Sequence, residues 1–286
     1  MILQKVSGYV DLIFSIPIRF SHRAALDRLR GLKHTKRALT ALVIGNGPTA
    51  KELDFEQVKE MNSKSDFDIF LINYSILDYR LNSLKRFYLV LSDEQMMPMV
   101  HSDRNEELWR VIRESSGVTL ITPTTWHKKF QELSCTNNDC LHFDDTALVG
   151  ITKNISPMRP YGYTPLTAYK ALSVAGFLGY NQILIIGIDN SMFRSISVDD
   201  TNSLVETENH SIGNYKYSRK YTRELMLDSR YGISDYFYQL SLTYSSLKRY
   251  FKELPITNLG LQSEVDAFPK VGENSPWRFL VKNDQI

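Results

Sequence analysis

An α/β fold, with a Rossmann-like and mainly parallel sheet flanked by helices, is what the sequence predicts, and three observations predict it. Short apolar runs rich in Val, Ile, Leu and Phe recur along residues 38–190 without strict alternation, as strands buried on both faces require. Longer stretches with helical spacing separate them. A Gly-Asn-Gly-Pro turn follows the first run, at the edge where an open α/β sheet commonly binds its ligand.

In chain order, strands are predicted at residues 39–44, 67–72, 87–91, 118–121 and 182–186. Helices are predicted at 51–61, 105–114, 126–133 and 164–178, the last with Thr164 as N-cap and Pro165 at its first position. Beyond Asp189, residues 191–217 are polar, rich in Tyr and Ser, and without a clear period. They read as a long functional loop, part of a lid over about 191–233. A C-terminal helix at 234–250 carries Tyr236, Phe237, Leu240 and Leu247 toward an approximate apolar stripe, and 255–259 reads as a last short strand. Residues 38–286 form a single domain in this reading, preceded by a basic amphipathic segment over 1–37.

Of the 286 residues, 43% are apolar and 23% charged, which suits a folded core and excludes collagen-like, disulfide-stapled and disordered chains. The 34 Lys+Arg against 32 Asp+Glu give a net charge of +2, too small a field for a nucleic-acid coat, and no nucleic-acid partner is expected. Basic residues concentrate in 1–37, where Lys5, Arg19, Arg23, Arg28, Arg30, Lys33, Lys36 and Arg37 face only Asp11 and Asp27. Cys135 and Cys140 lack the second ligand pair of a zinc site and read as reduced thiols of a cytoplasmic protein.

No apolar run reaches the roughly 18 residues that span a bilayer. The apolar stretch at 9–18 is interrupted by Asp11, Ser15 and Pro17, and the basic cluster follows it where a secretion signal would put it first. This leader reads in two ways. It either docks reversibly on an anionic membrane through Leu12, Ile13, Phe14, Ile16, Ile18 and Phe20, or packs on the body as an ordinary helix.

Two strand ends carry the candidate chemistry. At the first, Gly45, Asn46, Gly47, Pro48 and Thr49 form a tight turn whose glycines let backbone approach a ligand, and whose following helix start offers N–H groups to an anion. Ala50 at the third glycine position counts against conventional NAD binding, and the lack of Gly-Lys-Ser/Thr counts against a P-loop. At the second, Gly187, Ile188 and Asp189 bring a carboxylate to the sheet edge, as a hydroxyl ligand, an acid/base group or a turn cap. The helix start at Tyr163, Thr164 and Pro165 suits a phosphate, with Arg159 as a bidentate cation beside it.

Among the histidines, His210 lies in the polar loop and has a side chain suited to take a proton from an attacking hydroxyl. His22 and His34 belong to the leader, and His101, His127 and His142 have no accompanying chemistry. Asp66-Phe67-Asp68 spells a D-x-D but begins a strand instead of following one, and Asp144-Asp145 and Asp199-Asp200 read as solvated pairs. No metal is expected.

Taken together, the Gly45–Thr49 turn, Asn73 after the second strand, the stretch from Arg159 to Thr164, and Leu178-Gly179-Tyr180 followed by Ile186-Gly187-Ile188-Asp189 resemble the bacterial sialyltransferases of glycosyltransferase family 42. The likeness covers about residues 39–260 and extends to the motility-accessory and hydroxymethylpterin-pyrophosphokinase-like proteins. It implies a GT-A variant of the Rossmann-like fold and a CMP-activated sugar donor without metal or other cofactor. It further implies that Asn46 and Gly47 approach the nucleotide and Asn73 its phosphate or ribose. Thr164 and Pro165 would line the donor pocket, Arg159 would sit near the reacting groups, and Gly187 and Asp189 would hold the cytidine side.

The family uses a loop histidine as base, close before the last long helix. Residues 229–232 here have none, so His210 stands in from upstream. The family's phosphate-binding tyrosines are also missing after Gly-Ile-Asp, leaving Arg194, Tyr215 and Tyr217 as replacements.

The expectation is therefore an inverting transferase that moves a sialic-acid-like or Kdo-like sugar from CMP to a hydroxyl of a bacterial surface glycan or glycolipid, such as lipopolysaccharide O-antigen or capsule. It would work in the cytoplasm, peripherally at the inner face of the inner membrane, with room for a homo-oligomer. Two alternatives stay open: an ATP-dependent pyrophosphokinase of a pterin-like alcohol, and a non-catalytic nucleotide-binding partner in glycan assembly.

Overall fold

The computed structural model describes residues 23–33, 38–81, 83–133, 140–209, 216–221 and 232–282. Its centre is a seven-stranded sheet in which every neighbouring pair is parallel. The strands are β1 (Thr40–Ile44), β2 (Phe67–Ile72), β3 (Phe87–Val90), β4 (Val118–Pro123), β5 (Cys140–Phe143), β6 (Gln182–Ile186) and, last in the chain, β10 (Ile256–Asn258). Their order is β10-β6-β1-β2-β3-β4-β5. The chain thus runs outward from β1 through β5, then returns to lay β6 on the other side of β1. That reversal between β1 and β6 is the topological switch point, where open α/β sheets form a crevice beyond the strand ends.

Both faces of the sheet are covered, which explains why the strands read as continuous apolar runs. Leu42, Ile44, Ile69, Leu71, Leu89, Leu120 and Leu184 point to one side, where α2 (Phe55–Ser63), α3 (Asp103–Glu114) and α4 (His127–Leu133) pack. Val43, Phe70, Ile72, Val90, Ile121, Ile183 and Ile185 point to the other, against α5 (Thr167–Leu178), α6 (Ile233–Tyr250) and Leu29 of α1 (Arg23–Leu32). Of the N-terminal basic segment, Arg23–Leu32 is therefore a helix on the body: Leu29 and Ala25 are buried, and Arg28 donates to the carbonyl of Cys140 on edge strand β5. Residues 1–22 and 34–37 of the leader, with His22 and His34, lie outside the described residues, as does Cys135.

Three differences from the sequence reading have physical causes. The helix expected at 51–61 is split, because a 3-10 turn over Pro48–Glu52 comes first and Asp54 then caps α2, accepting from the N–H groups of Glu56 and Gln57. Strand β5 had no predicted counterpart; its Cys-Leu-His-Phe sequence sets a histidine in the middle and makes no unbroken apolar run. Among the described residues, the polar stretch at 191–217 is not one long loop. A small antiparallel sheet occupies it: β7 (Ile196–Val198), β8 (Leu204–Asn209) and β9 (Lys216–Tyr221). Asp199 makes the first hairpin turn by accepting from the N–H groups of Thr201 and Ser203, with Asn202 at φ 55°. On β8, Leu204 and Glu206 face inward in period two.

Candidate functional site

The ends of β1 and β6 are stitched together. The Gly45 N–H donates to the Ile186 carbonyl and the Gly47 N–H to the Gly187 carbonyl, each at 2.8 Å. Thr49 completes the clasp: its N–H donates to Asp189 Oδ2 (2.9 Å), its hydroxyl donates to Asp189 Oδ1 (2.5 Å) and accepts from the Gly187 N–H (3.0 Å). The Ala50 N–H returns to the Gly47 carbonyl.

This corrects the expectation that the glycine turn offers its N–H groups to an anion, because those of Gly45, Gly47, Thr49 and Ala50 are spent inside the protein. The glycines serve backbone packing. A Cβ on Gly45 would collide with the Gly187 carbonyl oxygen, one on Gly47 with the Asp189 carboxylate, and one on Gly187, which sits at φ 68°, with the Gly45 carbonyl oxygen. Asp189 is likewise bound into the clasp and only 4% exposed. Burial pushes its carboxyl up from the ordinary value, opposed by the hydrogen bonds from Thr49. Glu52, also buried, is pushed up by burial against the hydrogen bond that it accepts from the Leu261 N–H.

Above this clasp lies a cleft of about 1410 Å³ along the ends of β6, β1, β2 and β3. Gly45, Asn46, Gly47, Pro48, Thr49, Asn73, Pro165, Gly187, Ile188, Asp189 and Arg194 all line it, so the two predicted strand ends do share one cavity. Asn46 and Asn73 are notable, because their side-chain carbonyl oxygens are buried with no hydrogen-bond partner among the described residues. Such a group costs stability unless something donates to it.

One wall is the start of α5. The helix begins at Thr167, with Leu166 (φ −96°, ψ 144°) as a cap that makes no side-chain hydrogen bond. This replaces the predicted Thr164 cap and Pro165 first position. The Thr164 hydroxyl is engaged by a buried side chain and not by backbone N–H groups, so it takes no part in capping. Thr164 is instead buried, accepting from Lys170 Nζ at 2.9 Å, while Pro165 reaches the cleft. Lys170 lies against the Tyr161 ring, and burial holds its ammonium well below the usual lysine range, opposed by Asp145 and Asp144. Thr167 is tied to the end of β3 through Ser92 (2.6 Å). The N–H groups of Thr167 and Ala168 have no acceptor within the helix, and no acidic side chain occupies the first turn. A first turn of this kind favours an anion.

The facing walls come from remote segments. Arg104, at the start of α3, stacks 3.8 Å over the Tyr74 ring, and both line the cleft. From the small sheet, Glu206 enters with 3% exposure and accepts from the Tyr236 hydroxyl of α6 at 2.9 Å. Neither pair was legible in the sequence as a site, although the period-two pattern of Leu204 and Glu206 was there to be read.

Several predicted residues fall elsewhere. Arg159 is exposed and does not line the cleft, because Asn154 holds the 156–160 turn through its carbonyls. Tyr163 is also outside the lining; its hydroxyl donates to Gln239, which is part of it. Arg194 lines the cleft but is ion-paired with Glu264. His210, Tyr215 and the side chain of Tyr217 lie outside the described residues. His127 and His142 pair with each other (3.0 Å) away from the cleft, and burial, with His127 and then Arg28 adding to it, pulls His142 down to about 4. In the Asp66-Phe67-Asp68 stretch, Asp68 is buried in β2 and accepts from Tyr180 and Arg86. Among the described residues no three His, Cys, Asp or Glu side chains group to hold a metal, and no helix is long and apolar enough to cross a membrane.

Compared with protein-family models, curated proteins and solved structures, the chain has no significant match. Its function is therefore argued from the cleft.

Proposed function

We propose that the protein is an inverting glycosyltransferase of GT-A type that moves an acidic, sialic-acid-like or Kdo-like sugar from a CMP donor to a hydroxyl of a surface glycan or glycolipid. The observation that carries this reading is the polarity of the cleft. Unpartnered amide oxygens of Asn46 and Asn73 line the strand ends, and the uncapped first turn of α5 stands at the wall. A nucleotide joined to a sugar has the matching halves, hydroxyl donors and a phosphate. The helix start would stabilise the phosphate as charge develops on it during departure, a contribution that needs no reorganisation.

His210 is the candidate base, on the family resemblance. Asp189 is not, since both of its oxygens are engaged by Thr49. The reaction would take place at the cytoplasmic face of the inner membrane, where lipid-linked acceptors lie, with residues 1–22 as the segment available for peripheral contact.

The test is thermal stabilisation by CMP, UDP, ATP and GDP, each with and without magnesium. Metal-free stabilisation by CMP above the others is expected. Stabilisation by ATP only with magnesium would overturn the proposal in favour of a pyrophosphokinase.

A further inference from the structure

Three asparagines stand at the carboxyl ends of three neighbouring strands: Asn190 beyond β6, Asn46 beyond β1 and Asn73 beyond β2, all lining the cleft. Asn73 and Asn190 have φ of 53° and 51°, a left-handed backbone in which asparagine is the best tolerated residue after glycine. At Asn190 two tyrosines enforce it. The Tyr244 hydroxyl donates to the Asn190 carbonyl at 2.6 Å, and Asn190 Nδ2 donates to the Tyr169 hydroxyl at 3.0 Å.

The orientation of that amide follows from proton counting. Tyr169 gives its only proton to the Thr243 carbonyl (3.1 Å), so toward Asn190 it can only accept. The atom facing it must be the amide nitrogen, and the Asn190 side-chain carbonyl is turned away from Tyr169. With Asn46 and Asn73, three neutral side-chain amides then line the cleft at the ends of adjacent strands, two of them with unpartnered carbonyl oxygens. The unpartnered carbonyl oxygens in this row attract hydroxyl protons. The carboxylate at this edge, Asp189, is committed to Thr49.

We propose that Asn190, Asn46 and Asn73 form a neutral floor that reads hydroxyl groups. Asn190 takes the ribose hydroxyls of the nucleotide at the β6–β1 crevice, and Tyr169 and Tyr244 act as its positioning residues. The inference rests on the reading that the cleft binds a nucleotide, and it adds the ribose contact and the residue that makes it.

The experiment is calorimetric binding of CMP and of 2′,3′-dideoxy-CMP to the full chain and to Asn190→Gly. Glycine accepts φ 51° without strain, so this variant removes the amide while keeping the turn. Wild type should prefer CMP by roughly tenfold, on the order of one or two neutral hydrogen bonds. Asn190→Gly should bind CMP about five- to tenfold more weakly and bind the dideoxy analogue unchanged. Tyr244→Phe should lose part of the same preference.

Retention of the full preference by Asn190→Gly overturns the proposal, as does an equal loss for both ligands, which marks a structural role. If CMP fails to bind but UMP, AMP or GMP shows a ribose preference that Asn190→Gly erases, the floor stands and the CMP donor falls. If no ribonucleoside monophosphate binds, both fall.

Discussion

The turn after β1 and the start of α5 both face the cleft, and both are short segments leading from a loop into helical structure. They differ in what becomes of their N–H groups. Around Gly45–Ala50 the donors are consumed by β6 and by the turn itself, and the glycines exist so that two backbones can touch. At Thr167 and Ala168 the donors have no acceptor in the helix, and no side chain caps them. A glycine-rich turn at a strand end is thus not in itself an anion site. What matters is whether a neighbouring strand has already claimed its donors.

The largest expected effect breaks the first of these regions. Gly45→Ala sets a Cβ against the Gly187 carbonyl and should cost about 3 kcal/mol or more, read as a lower urea midpoint. Asp189→Ala comes next. It strips acceptors from the Thr49 N–H and hydroxyl, and a loss of about 2–3 kcal/mol is expected in the same measurement.

Thr167→Pro probes the second region. Proline fits the first helical position and removes one N–H, so the fold should persist while CMP affinity falls about fivefold relative to Thr167→Val, which controls for the lost bond to Ser92. Equal CMP affinity in the two variants would remove the helix start from the site.

The pH dependence of stability sharpens the contrast, because the two regions bury groups of opposite charge. Asp189 and Glu52 have carboxyls raised by burial. Just above pH 4 the native state therefore holds more protons than the unfolded chain, and stability falls as pH rises through that window. Lys170 has an ammonium lowered by burial. Below 10.5 the unfolded chain holds more protons, and stability rises with pH up to that value. Lys170→Met should flatten the alkaline rise, and Asp189→Asn should remove part of the acid-side fall. Both are best read as differences from wild type, since His142, lowered to about 4 from 6.5, adds a gain of about 3 kcal/mol as pH rises between those values. The smallest effect is expected of Arg194→Ala, whose exposed pair with Glu264 should contribute less than about 1 kcal/mol in denaturant unfolding.

The sheet was legible wherever burial on both faces left an unbroken apolar run, as at Phe67–Ile72 and Gln182–Ile186. It was not legible at Cys140–Phe143, where His142 breaks the apolar run, nor in the small polar sheet, whose alternation sets single apolar residues among Ser, Thr and Glu. For the site, position did most of the work: residues directly after strands, such as Asn46 and Asn73, do reach the cleft. The bonding state of a backbone N–H is a tertiary property, so the glycine turn was placed in the cavity but given the wrong task. Arg104, Glu206 and Tyr236 come from distant segments, and nothing local in the sequence marks them as parts of one cleft.

The parallel pairing of β1 with β6 also bears on how the molecule comes into being. As the chain leaves the ribosome, Thr40–Ile44 emerges long before Gln182–Ile186, and one flank of the first strand has to wait for a partner more than a hundred residues behind it. Long-range pairing of this kind slows folding and prolongs the exposure of unpaired strand edges. Nascent chains arrested before residue 186 should therefore be the ones that chaperones hold, and the crevice between these strands is among the last parts of the protein to exist.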